Sequence, residues 1–159
     1  MKPIEKIVFE VAVRSAVPMD LLLLADEEEN LEKYINDSIF FAAMNQASMV
    51  GVAALKEIDG DTAEIVNIGV TKPWQNKGIG TCLLNMVIHS GRDKGYKKLI
   101  IKTGDTSVIA LRLYTNAGFT TVSINKNYFV ENLKQPIFEN GVQCRDQVVL
   151  EYEIDGKIA

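Results

Sequence analysis

The sequence predicts an α/β (α+β) fold: a mixed, mostly antiparallel central sheet with helices on both faces. Three observations carry this. Strand-like runs at Ser38–Met44, Met49–Ile58 and Thr62–Val70 are separated only by turn-forming clusters, the pattern of consecutive hairpins. After Pro73, Ile79, Leu83, Leu84, Val87 and Ile88 recur at helical spacing. Leu99-Ile100-Ile101 follows with no polar break, as a buried central strand should.

The elements follow in order. Ile7–Val13 is β-rich and opens the sheet. Pro18-Met19-Asp20 starts a short helix whose leucines, Leu21 to Leu24, are apolar all round and so expected mostly buried. Glu27-Glu28-Glu29 opens a second helix through Tyr34 and Ile35, because acidic side chains suit a helix N-terminus. Asn45-Gln46-Ala47-Ser48 and Asp59-Gly60-Asp61 are the hairpin turns. Pro73 stops the third strand run, and the long helix Thr81–Arg92 is closed by Gly95. Thr106 or Ser107 caps a helix through Asn116 that Gly118 ends. Phe119–Ile124 and Gln147–Ile154 are closing strands, with an irregular, aromatic-rich Asn125–Asp146 between them.

At 159 residues the chain is predicted to be one domain, 1–159, long enough to bury roughly two thirds of its unfolded surface. The net charge is −4 and the basic residues are dispersed, which argues against nucleic acid. Cys82 and Cys144 form no metal spacing and no disulfide framework, so a reducing cytoplasm is the expected compartment. Met1–Glu5 has no apolar signal core, and the longest apolar run, Met19–Ala25, contains Asp20 and is too short to span a bilayer.

The stretch Gln75-Asn76-Lys77-Gly78-Ile79-Gly80 sits between a strand pattern and a helix pattern. Glycines there let backbone N–H groups approach a ligand, and the positive end of the helix dipole suits phosphate. Lys77 adds a mobile positive charge. The chain lacks the P-loop spacing, and position 83 is Leu where the dinucleotide pattern needs a third glycine. A plain helix-entry turn is the alternative.

Gln75, Gly78 and Gly80 match the motif Gln/Arg-x-x-Gly-x-Gly/Ala. About thirty residues on, Ala110, Leu113, Tyr114, Gly118 and Phe119 match A-x-x-L-Y-x-x-x-G-F. In this order and spacing the chain resembles the GCN5-related N-acetyltransferase (GNAT) superfamily, over roughly Ser38–Thr121, and Phe138–Asp146 resembles a tail seen in a bacterial subgroup of unassigned substrate. The resemblance implies a GNAT-like acyl-CoA N-acyltransferase fold, splayed between two central strands to admit a pantetheine arm. It implies direct transfer of acetyl from acetyl-CoA to an amine, with no metal and no cysteine intermediate. Pairing of two copies through the closing strands is common in the family.

Acetyl transfer to an amine needs a held donor, a polarised carbonyl, a proton acceptor for the amine and a proton for the leaving thiolate. Holding falls to Gln75, Asn76, Lys77, Gly78, Ile79, Gly80 and Thr81; for Lys77 and Thr81 ordinary surface polarity is the alternative. Ser107 stands where many members carry Asn, so its contact to the cofactor arm is expected to be weaker or differently made. By resemblance, a bulged fourth strand frees Ile68 N–H to polarise the carbonyl, with Gly69 the easiest place for the bulge and Val70 beside it. A role for Gly69 in giving a neighbouring element room is the alternative, and the Ile68 side chain is expected in the core.

Glu64 is the only ionisable residue inside the apolar run Ala63–Val70. Apolar walls would suit it as a base, a role its distance before the turn also implies by resemblance to the histone-acetylating branch; a solvent-facing glutamate is the alternative. Tyr114 is the candidate acid, because the matching tyrosine points at the CoA sulfur; a packing tyrosine is the alternative. His89 carries no role, and the cysteines are expected to pack. Asn140–Asp146 either walls the acceptor site, with Arg145 and Asp146 reading charge, or is a loop with an internal Arg–Asp pair. The acceptor is expected to be a small-molecule amine, with a protein or peptide amine, or a CoA-binding sensor without turnover, as rivals.

Overall fold

Two tight turns set the sheet. In the computed structural model, which describes residues 6–154, Gln46 takes a left-handed φ of 56° between β2 (Ser38–Asn45) and β3 (Ser48–Glu57). Asp59 accepts the N–H groups of Asp61 and Thr62 at 2.8 and 3.0 Å, turning the chain into β4 (Thr62–Val70). The opening strand β1 (Val8–Ala12) pairs antiparallel with β2. Residues 1–5 and 155–159 of the predicted domain lie outside the described ones.

Between β1 and β2 lie two one-turn helices, α1 (Met19–Leu22) and α2 (Glu28–Leu31). Leu21 and Leu22 are buried, but Leu23 and Leu24 are exposed at 42% and 57%. The expectation that the leucines are mostly buried holds for only two of the four, because one helical turn presents only one side to the sheet.

The third helix, α3 (Ile79–Asp93), begins two residues earlier than predicted and ends before Gly95, at φ 87°. After it come β5 (Lys98–Gly104), α4 (Val108–Ala117) and β6 (Thr120–Asn125). Gly118, at φ 110°, ends α4; a Cβ there would also meet Tyr152 Cε2 at 2.8 Å. The expected irregular segment contains a short helix, α5 (Tyr128–Asn132), and a small hairpin of β7 (Phe138–Glu139) and β8 (Val142–Gln143). The last strand, β9 (Gln147–Glu153), inserts between β5 and β6.

The seven-stranded order is β1-β2-β3-β4-β5-β9-β6, and only β4–β5 is parallel. Alternation along the central strands divides the core. Phe41, Ala43, Ala53 and Leu55 pack with α3 and Tyr114 of α4; Phe40, Val52 and Ala54 pack with Leu22, Leu31 and Tyr34 of the α1–α2 segment. Helices therefore cover both faces, as predicted.

Candidate active site

The turn before α3 combines two conformational devices. Asn76 and Gly78 have φ of 62° and 86°, and nothing lies within 4 Å of a Cβ built on Gly78. Gly80 serves differently: its Cβ would lie 3.1 Å from Leu113 Cδ2, so its absence lets α3 approach α4. The first intrahelical bond runs from Cys82 N–H to Gly78 O at 3.1 Å. The N–H groups of Ile79, Gly80 and Thr81 are thus left at the positive end of a 15-residue helix, an arrangement suited to an anion. Asn76, Lys77 and Thr81 are exposed, and the Ile79 side chain is buried. Gln75 departs from expectation. Its Nε2 donates to Val70 O at 2.9 Å, so the side chain folds back on β4 instead of presenting its amide to a phosphate.

β4 and β5 pair only from Thr62↔Lys98 to Ile65↔Ile101. Beyond that point β4 stays with β3, through Val70↔Gly51, while β5 stays with β9, through Gly104↔Gln147. The sheet opens between them. The bulge expected at Gly69 lies instead at Val66: Ala54 pairs with Asn67 and Leu55 with Ile65, leaving Val66 as the extra residue. That insertion reverses the alternation. Ala63 and Ile65 face the α3–α4 side, and so do Ile68 and Val70 beyond it. Gly69 faces α1, where its Cβ would lie 3.6 Å from Leu21 O, so it gives a neighbouring element room.

The ladder phase fixes where the backbone groups point. Thr71 N–H donates to Val50 O at 2.9 Å, so residues 71 and 69 turn their peptide groups to β3. Ile68 and Val70 turn theirs to the opening. The Ile68 side chain, expected in the core, is half-buried at the opening and packs on the core from its edge.

A cavity of about 700 Å³ occupies this opening. Glu64 and Tyr114 both line it. Glu64 alternates with the α3–α4-facing Ala63 and Ile65, so it comes from the α1–α2 face; Tyr114 belongs to the opposite layer. Tyr114 is 6% exposed, and no hydrogen bond engages its hydroxyl among the described residues. Burial pushes its phenol up to about 12, so it is a neutral donor at any ordinary pH. The expected apolar setting of Glu64 is not found. Its Oε1 lies 3.6 Å from Lys102 Nζ, and Lys56 is its register partner on β3. A larger cavity of about 950 Å³, between the Asp59–Thr62 turn and the end of α3, holds none of the motif residues.

Three cavity residues were missed by the sequence reading. Tyr34 O–H donates to Asp26 Oδ2 at 2.8 Å and accepts from Asn67 Nδ2 at 3.2 Å. Asn67 Nδ2 also donates to Leu22 O at 2.9 Å, joining α1 to the strand just past the bulge. Burial raises the Tyr34 phenol far above its ordinary range; the bond from Asn67 opposes this and the Asp26 carboxylate adds to it. Asn67, a polar residue in an apolar run, was the available signal.

Ser107 occupies the N-cap position of α4 but makes no side-chain cap bond. Its Oγ donates to Glu139 Oε1 at 2.8 Å, and Thr106 Oγ1 reaches the same oxygen at 3.1 Å. The β7–β8 hairpin therefore occupies the hydroxyl expected at the cofactor. Ile137, Glu139 and Cys144 wall the cavity, whereas Arg145 and Asp146 do not. Nor do those two pair: Arg145 donates to Gln143 Oε1 at 3.4 Å and Asp146 lies 3.7 Å from Lys126 Nζ. Cys144 is buried, which raises its thiol, whereas Cys82, expected to pack, is exposed. His89 is exposed on α3. Among the described residues no helix is long and apolar enough to cross a membrane, and no cluster of His, Cys, Asp or Glu is placed to hold a metal ion.

Residues 10–119 match the Acetyltransferase (GNAT) family. A GNAT family acetyltransferase from Elizabethkingia anophelis, solved with acetyl-CoA bound, is 39% identical, with a TM-score of 0.88 over 92% of this chain and 97% of that one. An IAA acetyltransferase from Bacillus cereus is 38% identical, with a TM-score of 0.88 over 93% and 99% of the two chains. In Bacillus subtilis, the protein named uncharacterized N-acetyltransferase YvbK is 36% identical over 132 residues, 82% of this chain and 85% of the relative. Matched to the family over more than half its length, and to these proteins over most of theirs, the chain belongs to the GNAT acetyltransferase family.

Proposed function

We propose that this protein transfers acetyl from acetyl-CoA directly to the primary amine of a small molecule, with Glu64 and Tyr114 as the proton-handling pair. As a GNAT member it is an acetyl-CoA-dependent N-acetyltransferase. The observation that carries the rest is the cavity in the β4–β5 opening, which Glu64 and Tyr114 enter from opposite faces of the sheet.

In this assignment the α3 N-terminus holds the pyrophosphate, with Gly78 keeping the approach clear and Lys77 adding charge. The thioester lies in the opening, its carbonyl oxygen on Ile68 N–H. Glu64 takes a proton from the acceptor ammonium, directly or through water. The freed amine attacks the carbonyl carbon, the C–N bond forms and the C–S bond breaks. As the amide forms its nitrogen loses its second proton to water, Tyr114 gives its proton to the departing sulfur and is reprotonated from water, and Glu64 releases the first proton to water.

A small acceptor is favoured because Tyr34 and the β7–β8 hairpin wall a cavity within the range of small-ligand sites, ~300–1,000 Å³. A homodimer would use β6, the sheet edge, where Val122 and Ile124 are exposed.

Acceptor profiling with acetyl-CoA, read as free thiol released and confirmed by the mass of the product, tests this function. Turnover with small amines is expected. Turnover confined to peptides would identify a protein acceptor. Acetyl-CoA binding with no turnover on either would identify a sensor.

A further inference from the structure

The α1–α2 end of the cavity carries a second feature that the transfer chemistry does not use. Lys33, on the turn after α2, and Lys56, on β3, both line it. Neither has a carboxylate within ion-pair distance among the described residues, where the pairs are Lys98–Glu151, Lys102–Glu64, Lys126–Asp146 and Lys134–Glu29. Lys56 is half-buried. Its Nζ donates to Lys33 O at 3.4 Å, and Lys33 Nζ donates to Asn30 Oδ1 at 3.2 Å. Each ammonium has three N–H groups, so each keeps two to give.

Asp26 on the same wall forms no ion pair with them. Its Oδ1 accepts Glu27 N–H at 2.8 Å and Asn30 Nδ2 at 3.0 Å, and its Oδ2 accepts the Tyr34 hydroxyl at 2.8 Å. The unspent polar capacity at this end is cationic, in a chain whose net charge is −4.

The opposite need exists nearer the bulge. Asn67 is 4% exposed, and its Oδ1 has no hydrogen-bond partner. Its orientation is fixed by its neighbours. Leu22 O can only accept, and the Tyr34 hydroxyl has already given its proton to Asp26. Both therefore face Nδ2, and Oδ1 is left as a buried acceptor lacking a donor. The group that would satisfy it is an N–H donor. Glu64 lines the same cavity with an anionic oxygen.

We infer that the acceptor is a small amine carrying a carboxylate, such as an amino acid. Its amino end meets Asn67 Oδ1 and Glu64, and its carboxylate meets Lys33 and Lys56. This rests on the proposed transfer to a small amine and names the class of amine. Asn67 Oδ1 lacks a hydrogen-bond donor without it, Lys33 and Lys56 lack a carboxylate without it, and an amine lacking the acid leaves those two ammonium groups unmatched.

The test uses matched acceptors: glycine, β-alanine and phenylalanine against their amides, with acetyl-CoA saturating. The acids are expected to exceed their amides at least about tenfold in kcat/KM, mainly through KM. Lys56→Met keeps most of the stem and removes the charge. It should collapse the acid-to-amide ratio toward one, with Lys33→Met reducing it as well; a thermal melt verifies folding. Equal use of acids and amides by the wild type, or an unchanged ratio in both folded variants, would overturn the inference while leaving the transferase function standing. Failure to acetylate any acid or neutral amine would overturn both.

Discussion

Gly80 and Leu113 are in contact: a Cβ on the glycine would lie 3.1 Å from the leucine Cδ2. The Gln75–Gly80 turn and the later helical motif are thus two sides of one helix–helix approach. The contact brings the N-terminus of α3 beside the helix that carries Tyr114. Gly80→Val is expected to cost about 1–3 kcal/mol by overpacking this seam. Leu113→Ala in the same chain should recover part of that loss. Denaturant unfolding of the single and double variants checks it, and strict additivity would show that the two positions do not share the space.

Gly78 tests the anion site separately, because nothing lies within 4 Å of its missing side chain. Gly78→Asp places negative charge at the helix N-terminus and should weaken acetyl-CoA binding at least about tenfold, or about 1.4 kcal/mol. Gly78→Asn tolerates the left-handed backbone and adds no charge, so its loss should be smaller. Calorimetry giving equal affinities for wild type and a folded Gly78→Asp would remove the turn from the site.

Tyr114→Phe deletes the proton donor and keeps the ring. Turnover should fall by roughly 10²-fold with acetyl-CoA affinity nearly unchanged. The same phenol links folding to pH. Burial raises it from 10.0 to about 12, so the unfolded chain loses this proton first as pH rises. Its contribution to stability is fully present below about pH 10 and is lost toward about pH 12. The stability of wild type relative to Tyr114→Phe should therefore decline across that window. A difference that stays constant would contradict the burial of the hydroxyl.

Glu64→Gln keeps the shape and removes the carboxylate. If Glu64 takes the ammonium proton, the variant should be slow near neutral pH and recover as pH rises, because the acceptor then deprotonates in solution. A pH–rate profile parallel to wild type would assign deprotonation to water or to the acceptor itself.

The sheet and its two long helices were legible because turn residues and hydrophobic period agree along them. Asp59-Gly60-Asp61 bends where predicted, and Gly118 ends α4 where predicted. The bulge was not legible. It is defined by the count of residues between β3 and β4, so it falls at Val66, which carries no bulge signal, while the more suggestive Gly69 pairs with Val52. Ser107 and Glu139 are 32 residues apart, and only the folded hairpin brings them together. The Asp26–Tyr34–Asn67 chain likewise joins three segments, and Asn67 alone signalled it by standing in an apolar strand.

The central claim is that the thioester lies in the β4–β5 opening between Glu64 and Tyr114. A crystal structure of this protein with acetyl-CoA, or a non-hydrolysable analogue, measures that directly. The thioester sulfur is expected within hydrogen-bonding distance of the Tyr114 hydroxyl, with the carbonyl oxygen on Ile68 N–H and the pyrophosphate on the N–H groups of Ile79, Gly80 and Thr81. A pantetheine arm outside the opening, with Tyr114 still packed and out of contact with the sulfur, would contradict it.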